Sequence, residues 1–283
     1  QVALRPLGIE GIPITNVENG CADGSTALHG AYKDVAGGFY ECSLAIGMEK
    51  IYNEDKAKSM LAFNSGVDVA NMREHMMSLR GIMDGVKLDI PVDDGGAGAG
   101  QTRSAFMDVY ANLLRWHMAT FGTTQRQLAI VASKNHFHST MNPNAQFQNA
   151  MTVDEILQAR PVIWPLTVPM CAPIGDGAAA VIVCSADFLK KLKSARPVKI
   201  LASVLGSGTN RRHDQLDLDI ATRLSRQAYN IAGVGPEDID VGEVHDATAF
   251  GELHQCESLG FCKIGEGGAF AESGATKLGG KIP

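Results

Sequence analysis

The chain has 283 residues, of which 45% are hydrophobic and 20% charged, and its formal net charge is −6. This balance is typical of a globular protein with a substantial core, and the negative charge argues against a surface for nucleic acid or anionic membrane. No apolar run approaches the roughly 20 residues of a membrane span, and QVALRPLGIEG lacks the pattern of a signal peptide. The six cysteines show no metal-ligand spacing, so we expect reduced thiols and a cytoplasmic location.

The chain begins with a predicted strand–helix–strand unit. GIPITNV (11–17) is typical of a short buried strand, residues 22–37 of a helix, and FYECSLAIG (39–47) of a second buried strand. This order predicts the βαβ unit of a parallel sheet. Residues 50–100 lack this alternation of strand and helix patterns, so we predict an inserted region that wraps a site. Its GAGAG segment indicates a flexible loop and not a phosphate loop, because no strand precedes it and no lysine follows.

Helices and strands alternate in the predicted middle of the chain. An apolar pattern over residues 102–121 predicts a helix that stops at Gly122. QLAIVASKNH (127–136) predicts a strand that leads into a polar loop. MTVDEILQAR (151–160) predicts a short helix with a threonine cap, and GAAAVIVCS (177–185) predicts another buried strand.

The strand–helix pattern restarts after the basic linker KKLKSARP (190–197). The elements predicted beyond it are strands over 198–208 and 238–247 and helices over 218–233 and 249–259. We therefore predict an α/β protein with two domains, residues 1–196 and residues 197–283. A last β-unit is missing after LGGKIP, so we expect the second domain to be incomplete at its end.

Cys21 is the first candidate for chemistry, since it lies where a predicted strand turns into a helix, among small residues. A helix N-terminus stabilises a thiolate through its dipole and free N–H groups, which lowers the pKa of a cysteine. The alternative is a buried cysteine that acts as a small hydrophobic residue. The local sequence leaves both interpretations open.

Histidines are the next candidates. His245, in EVHDATAF, follows a predicted strand and precedes a predicted helix. Ligands of open α/β sheets gather at the carboxyl ends of strands, where a histidine can stabilise an oxyanion or move a proton. A surface loop histidine is the alternative. His136 and His138 have no third ligand nearby in sequence and do not indicate a metal. Asp176, in PIGDGAAA, is typical of a turn former.

Six motifs in order resemble the thiolase superfamily, and within it the thiolases of the sterol-carrier-protein type and their bacterial relatives. They are VENGCADGSTAL (17–28), AIGMEK (45–50), KNHFHSTMNPNAQF (134–147), PIGDGAAAVIV (173–183), EVHDATAFGEL (243–253) and ESLGFCKIGEGGAF (257–270). The resemblance covers nearly the whole chain. It implies the thiolase fold, with two similar α/β halves in α-β-α-β-α layers and a loop region inserted at about residues 50–100.

The resemblance also implies roles for two residues. Cys21 corresponds to the nucleophile that accepts the acyl group, and His245 to a histidine that helps form an oxyanion hole. Neither a metal nor a permanently bound cofactor is implied, and coenzyme A is expected as co-substrate. Two positions depart from the family pattern. Asp23 places a carboxylate beside the nucleophile, and Thr248 replaces the bulky aromatic residue that often follows the histidine.

Two further family residues are absent from the sequence. The histidine of a GHPxG motif, which activates the nucleophile, and the cysteine of a CxGGG motif, which works on the second substrate, belong after LGGKIP. GIPITNV also has the pattern of a strand in the middle of a sheet, as if a strand–helix unit preceded it. We therefore expect the sequence to lack pieces of a longer protein.

By resemblance, the expected function is that of a thiolase that cleaves or forms a 3-ketoacyl-CoA, in the degradative direction, with a bulky steroid, aryl or fatty acyl chain. The expected partners are acyl-CoA and CoA, a second copy of the chain in a homodimer, and a small zinc-ribbon/OB-fold protein. A thiolase-like retro-aldolase of steroid side-chain CoA esters is one alternative, although such relatives tend to carry tyrosine at the position of His245. A non-catalytic lipid carrier or scaffold is the other.

Overall fold

The computed structural model describes residues 4–66, 81–89, 103–193 and 196–283, with the single residues 68, 70, 71, 74, 77 and 98. Part of the predicted inserted region, including nearly all of GAGAG, lies outside these residues. The helices of the described part are α1 (Asp23–Ala36), α2 (Lys56–Ala62), α3 (Ala105–Phe121), α4 (Gln125–Ser139), α5 (Val153–Gln158), α6 (Ala186–Leu189), α7 (Ile220–Ala232), α8 (Ala249–Ser258) and α9 (Gly267–Glu272). The strands are β1 (Cys42–Glu49), β2 (Pro161–Ile163), β3 (Leu166–Thr167) and β4 (Gly177–Cys184).

The chain divides into two compact units, each made of two separate segments. The first unit comprises Gln1–Lys50 and Asp176–Leu205, and the second comprises Ile51–Gly175 and Gly206–Pro283. The predicted domains, residues 1–196 and 197–283, were defined by the repeat of the strand–helix pattern. The two units described here are defined by contacts within the structure, so they do not test that division. That division therefore stays a prediction.

The first unit is a two-stranded sheet covered on one face by α1. β1 and β4 pair antiparallel over eight residues, from Cys42 opposite Cys184 to Glu49 opposite Gly177. Ala31 of α1 packs with Ala45 and Val183 in a small buried cluster. Both strands were expected from their apolar runs, but most of β4 is exposed, contrary to the prediction of a buried strand.

The predicted parallel βαβ unit is wrong. Residues 11–17 form no strand, and Ile12 and Ile14 are exposed. A strand is stable only when a neighbour satisfies its backbone groups, and Pro13 removes one donor from this short run. β1 therefore takes its partner from a segment far along the chain, and the pairing is antiparallel.

The second unit has a mainly helical core. Its largest wholly buried side chains come from four helices and a short strand, and they include Leu114, Leu128, Ile156, Leu166 and Leu253. β2 and β3 form a small antiparallel hairpin at the edge of this core. The helices predicted over 22–37, 102–121, 151–160, 218–233 and 249–259 are confirmed as α1, α3, α5, α7 and α8.

The strand predicted over residues 127–136 is wrong, because these residues belong to helix α4. Thr124 and Gln127 form a capping box at its start, and Leu128, Val131 and Ala132 are buried on one helical face. A short apolar run such as LAIVA cannot be distinguished from a buried helical segment by periodicity alone. His136 and His138 consequently lie on a helix and not in a loop.

The strands predicted over residues 198–208 and 238–247 are also absent from the described structure, where only short 3-10 turns occur nearby. Val198 and Val241 are largely exposed. As with residues 11–17, neither segment has a strand neighbour among the described residues. None of the helices in the described part is long and apolar enough to cross a membrane.

Candidate functional site

Cys21 lies in a 3-10 turn, Gly20–Ala22, that leads directly into the 14-residue helix α1. Gly20 has a φ of +54°, a left-handed conformation that favours glycine. The cysteine is exposed, so its thiol can be reached from solvent. The predicted position at a helix start is confirmed, and the alternative of a buried filler thiol is wrong.

Short-range hydrogen bonds shape the turn around Cys21. The Asp23 carboxylate accepts a hydrogen bond from the backbone N–H of Asn19. The Asn19 side-chain amide donates to Thr26 Oγ1 at 2.9 Å, and the Ser25 hydroxyl donates to the Ala22 carbonyl at 3.0 Å. Asp23 therefore closes the first turn of α1 by reaching back along the chain. This contact accounts for a carboxylate beside the cysteine.

A close contact between two glycines seats this turn on the sheet. A Cβ atom added to Gly47 of β1 would lie 3.1 Å from the Cα of Gly24. That distance is tighter than ordinary side-chain packing, whereas a Cβ on Gly24 would lie at an ordinary 3.7 Å from the Cα of Gly47, so the close approach of α1 to β1 depends mainly on the missing side chain of Gly47. His29 of α1 makes a separate contact with the segment after β4, since its Nδ1 lies 2.9 Å from the Ser203 hydroxyl.

His245 lies in an irregular segment just before α8 and is exposed. The side-chain amide of Gln255 binds its backbone twice. Gln255 Oε1 accepts from the His245 N–H at 3.1 Å, and Gln255 Nε2 donates to the His245 carbonyl. An amide that pairs with both backbone groups replaces a neighbouring strand, which explains how this segment is held in place without a sheet.

Small and buried residues bring α8 close to the His245 segment. A Cβ on Gly251 would lie 3.1 Å from the His245 carbonyl oxygen. Thr248 is wholly buried, forms an antiparallel bridge with Cys171, and its hydroxyl has no partner among the described residues.

A buried ion pair joins α4 to α8, next to the His245 segment, and was missed by sequence reasoning. Lys134 Nζ contacts Glu252 Oε1 at 2.7 Å, with both side chains less than a tenth exposed. The Asn135 amide donates to Glu252 at 3.0 Å and to Asp246 at 3.4 Å. Burial raises the pKa of Asp246, and the charge of Glu252 acts in the same direction. The KNH and HDATAFGE motifs are thus parts of one polar network.

His138 belongs to the same end of α4. Its Nε2 accepts a hydrogen bond from the backbone N–H of Leu278 at 3.1 Å, which requires the neutral ring. Burial lowers the pKa of His138, and the nearby charge of Lys134 lowers it further. The helical spacing of Lys134, Asn135 and His138 would have indicated a shared face, had the segment been predicted as a helix.

A buried histidine, His117, supports α8 from its other end. His117 Nδ1 lies 2.8 Å from the Thr123 hydroxyl, and its Nε2 lies 3.2 Å from Glu257 Oε2. Glu257 also accepts from the backbone N–H of Gly267 at 2.8 Å. Burial would raise the pKa of Glu257, but the hydrogen bond and charge of His117 outweigh it, so that the pKa is lowered.

Cys21 belongs to the first unit and His245 to the second, and each environment is described within its own unit. The described residues contain no group of three or more His, Cys, Asp or Glu side chains that could hold a metal ion. An open cavity of about 500 Å³ in the second unit contains neither candidate residue. Its lining includes Lys87, Trp116, Thr120, His213 and Asp214.

Comparison with known proteins gives one family match and several relatives. Residues 205–283 match the family described as "Thiolase C-terminal domain-like". The chain is 34% identical to benzoylsuccinyl-CoA thiolase subunit BbsB of Thauera aromatica, over 99% of this chain and 66% of that protein. It is 35% identical to sterol carrier protein 2 of Rattus norvegicus, over 99% of this chain and 49% of that protein.

Two further matches extend the comparison. An acetyl-CoA acetyltransferase of Methanothermobacter thermautotrophicus is 35% identical, over 98% of this chain and 65% of that protein. The solved structure of the Ltp2-ChsH2(DUF35) aldolase has a TM-score of 0.75 and 25% identity, over 99% of this chain and 68% of that one. The chain therefore spans between about half and two thirds of the length of the curated relatives named here.

Proposed function

Because the chain belongs to the thiolase superfamily, among the proteins of the sterol-carrier-protein type, we propose that it performs acyl transfer on a 3-ketoacyl-CoA through Cys21. The predicted α/β thiolase fold is confirmed by the similarity to the solved aldolase across nearly the whole chain. The single observation that carries the proposal is the exposed Cys21 thiol at the start of α1, in a chain related to thiolases.

The proposed reaction has two steps on one sulfur. The Cys21 thiolate attacks the 3-keto carbon of the substrate, and the bond between carbons 2 and 3 then breaks. The acyl group stays on Cys21 as a thioester, while the other product leaves as the enolate of acetyl-CoA or another acyl-CoA and takes up a proton. A CoA thiolate then attacks the thioester, which releases the shortened acyl-CoA and restores Cys21.

His245 is proposed to stabilise the negative oxygen that develops during these steps. An imidazole N–H donates to an oxyanion without moving, so its benefit depends on a fixed position. The two hydrogen bonds between the Gln255 side chain and the His245 backbone support this proposal, because they hold the backbone that carries the ring. We propose no metal or permanently bound cofactor for this reaction, and coenzyme A is the co-substrate.

The test is the capture of the acyl-enzyme. The chain is incubated with an acyl-CoA, digested and analysed by mass spectrometry, and the proposal predicts an acyl adduct on Cys21. Cys42→Ser is the matched control, because Cys42 is an exposed cysteine of the same unit. The adduct should persist in Cys42→Ser and vanish in Cys21→Ser. An adduct spread evenly over exposed cysteines would contradict the proposal.

A retro-aldolase is the second candidate, favoured by the structural similarity to the Ltp2-ChsH2(DUF35) aldolase. A retro-aldol reaction splits a 3-hydroxyacyl-CoA into a carbonyl compound and an acyl-CoA, and it needs neither an acyl-enzyme nor free CoA. Cleavage that survives in Cys21→Ala and does not depend on added CoA would identify this activity. Retention of both Cys21 and His245 favours the thiolase.

A non-catalytic carrier is the third candidate, since several relatives are named sterol carrier protein 2. Such a protein would bind an acyl-CoA with neither adduct nor cleavage. We propose a bulky acyl chain, the degradative direction and a cytoplasmic location. We further propose a homodimer and a small zinc-ribbon/OB-fold partner. The aldolase whose name pairs Ltp2 with ChsH2(DUF35) supports the idea of such a partner.

A further inference from the structure

Two cysteines that the proposed reaction does not use face each other across the sheet of the first unit. Cys42 is the first residue of β1, Cys184 is the last residue of β4, and the two are direct partners in the antiparallel register. Directly opposite residues of an antiparallel pair project from the same face. Both cysteines carry free thiols, and Cys42 is exposed.

The hydrogen-bond pattern shows which kind of cross-strand pair this is. The next pair outward, Glu41 and Ser185, is joined by a hydrogen bond from the Ser185 N–H to the Glu41 carbonyl at 2.9 Å. Hydrogen-bonded and non-hydrogen-bonded pairs alternate along an antiparallel ladder. Cys42 and Cys184 are therefore a non-hydrogen-bonded pair, the type in which opposite side chains come closest.

This geometry suits a disulfide. The Cα atoms of a non-hydrogen-bonded pair are about 4.5 Å apart. A disulfide accepts Cα separations of about 4.4–6.8 Å, so the backbone need not move far for the bond to form. The electrostatics agree with close thiols, because the pKa of Cys42 is raised by burial and then by the neighbouring Cys184.

We propose that Cys42 and Cys184 are a reversible disulfide site, oxidised by a low-molecular-weight disulfide such as oxidised glutathione. The Cys42 thiolate attacks one sulfur of glutathione disulfide, whose S–S bond breaks and releases one glutathione. The Cys184 thiolate then attacks the Cys42 sulfur of the mixed disulfide and releases the second glutathione. The protein gives up two electrons and two protons, and both glutathiones leave as thiols.

The bond would join the two segments that make up the first unit. Cys42 belongs to the segment Gln1–Lys50, and Cys184 belongs to Asp176–Leu205. Apart from the chain that runs through the second unit, these segments are held together by noncovalent contacts only in the described structure. The disulfide would add a covalent link at the end of the sheet and close the unit on itself.

Two other cysteines provide an internal control. Cys256 and Cys262 are also neighbours, but burial raises the pKa of each thiol to about 12. Disulfide exchange requires the thiolate and access for the reagent, so these two should stay reduced under the same treatment. Exposed Cys21 could compete for the reagent, and it is therefore removed by Cys21→Ser in the test protein.

The experiment treats the Cys21→Ser chain with oxidised glutathione at mildly alkaline pH, then alkylates the remaining thiols and maps peptides without reduction. The expected result is a peptide pair joined through Cys42 and Cys184, the loss of two alkylatable thiols, and their recovery after dithiothreitol. Cys184→Ser should instead retain glutathione on Cys42. Alkylation of both residues, glutathione on both, or linkage to other cysteines would each overturn the proposal.

Limited proteolysis gives an independent reading on the same sample. Cleavage at any site within residues 51–175 separates the two segments of the first unit. The fragments are separated on denaturing gels with and without reductant. If the disulfide has formed, they migrate together without reductant and separate when reductant is added. Fragments that separate in both gels would overturn the proposal.

Discussion

The two candidate residues are held by different kinds of structure. The Cys21 turn is exposed and is shaped by hydrogen bonds between residues four to seven apart in sequence, from Asn19 to Asp23 and to Thr26. The His245 segment rests on buried groups, and its main ion pair joins residues 118 apart. The first can form as soon as its helix forms, whereas the second depends on the completed core of its unit. The largest effect on catalysis is therefore expected at the first, and the largest effect on stability at the buried groups that support the second.

The largest expected effect is on the chemical step, from removing the Cys21 thiol. Under the thiolase proposal, Cys21→Ala should lower 3-ketoacyl-CoA cleavage by about 10³-fold or more, because no acyl-enzyme can form. Its thermal unfolding should be nearly unchanged, since the side chain is exposed. The assay follows product acyl-CoA in the complete protein, with Cys42→Ser within about twofold of the parent. A loss shared by both variants would place the effect outside Cys21.

The buried ion pair should dominate stability. Lys134→Met leaves the Glu252 charge buried with Asn135 as its neutral partner, and a cost of about 3 kcal/mol or more in the free energy of unfolding is expected. The double variant Lys134→Met/Glu252→Met should recover part of this loss. Denaturant titration of the parent and of both variants measures these free energies of unfolding.

The exposed pair of Lys190 and Asp187 is the matched control for that measurement. Its side chains are 77% and 80% exposed, so Lys190→Met should change the free energy of unfolding by less than about 1 kcal/mol. Equal losses in Lys134→Met and Lys190→Met would contradict the distinction between the two regions.

A smaller and more selective effect is expected from Gln255. Gln255→Glu keeps an acceptor for the His245 N–H but loses the donor to its carbonyl. Kcat should fall by about tenfold, with little change in the KM for CoA or in the melting temperature, because the change alters position and not the core. Gln215→Ala removes a comparable bond to the backbone N–H of Arg212 and should leave kcat unchanged. Parallel losses of kcat and melting temperature would indicate a structural role only.

The smallest expected effect concerns acid stability. The pKa of Glu257 is lowered in the folded protein through its hydrogen bond with His117, so its contribution is fully present above the ordinary carboxyl pKa. That contribution is lost as the pH falls through the lowered value. Glu257→Gln should therefore flatten the decline of stability in acid, as measured by unfolding at a series of pH values. A decline of unchanged slope would assign the acid sensitivity to other groups.

The same contrast explains which features could be predicted from the sequence. The start of α1 at Cys21 depends on local signals, and it was predicted correctly. The strands expected over 11–17, 198–208 and 238–247 are absent because a strand needs a neighbour, and pairing partners cannot be read from a single segment. The role of Asp23 was also out of reach, since its proximity to Cys21 in sequence does not reveal that its carboxylate binds the Asn19 N–H.

Long-range polar contacts account for most of the other features that the sequence did not predict. The motifs around Lys134 and His245 were both recognised, but their physical connection through Glu252 was not, since α4 was predicted as a strand. A helix places Lys134, Asn135 and His138 towards one side, whereas a strand would turn Asn135 to the face opposite Lys134. One wrong element type was therefore enough to hide the network.

The division of the first unit into two segments has a consequence for synthesis on the ribosome. β1 pairs with β4, whose final residue lies opposite the first residue of β1, so the sheet beneath Cys21 needs chain that is made much later. At about 5–20 residues per second, roughly 7–30 s pass between the two strands. During that interval β1 has helix α1 beside it but no strand partner. The nascent chain therefore carries a strand with unsatisfied backbone hydrogen-bonding groups for that time, and we expect this segment to be the part of the chain most open to wrong pairing during synthesis.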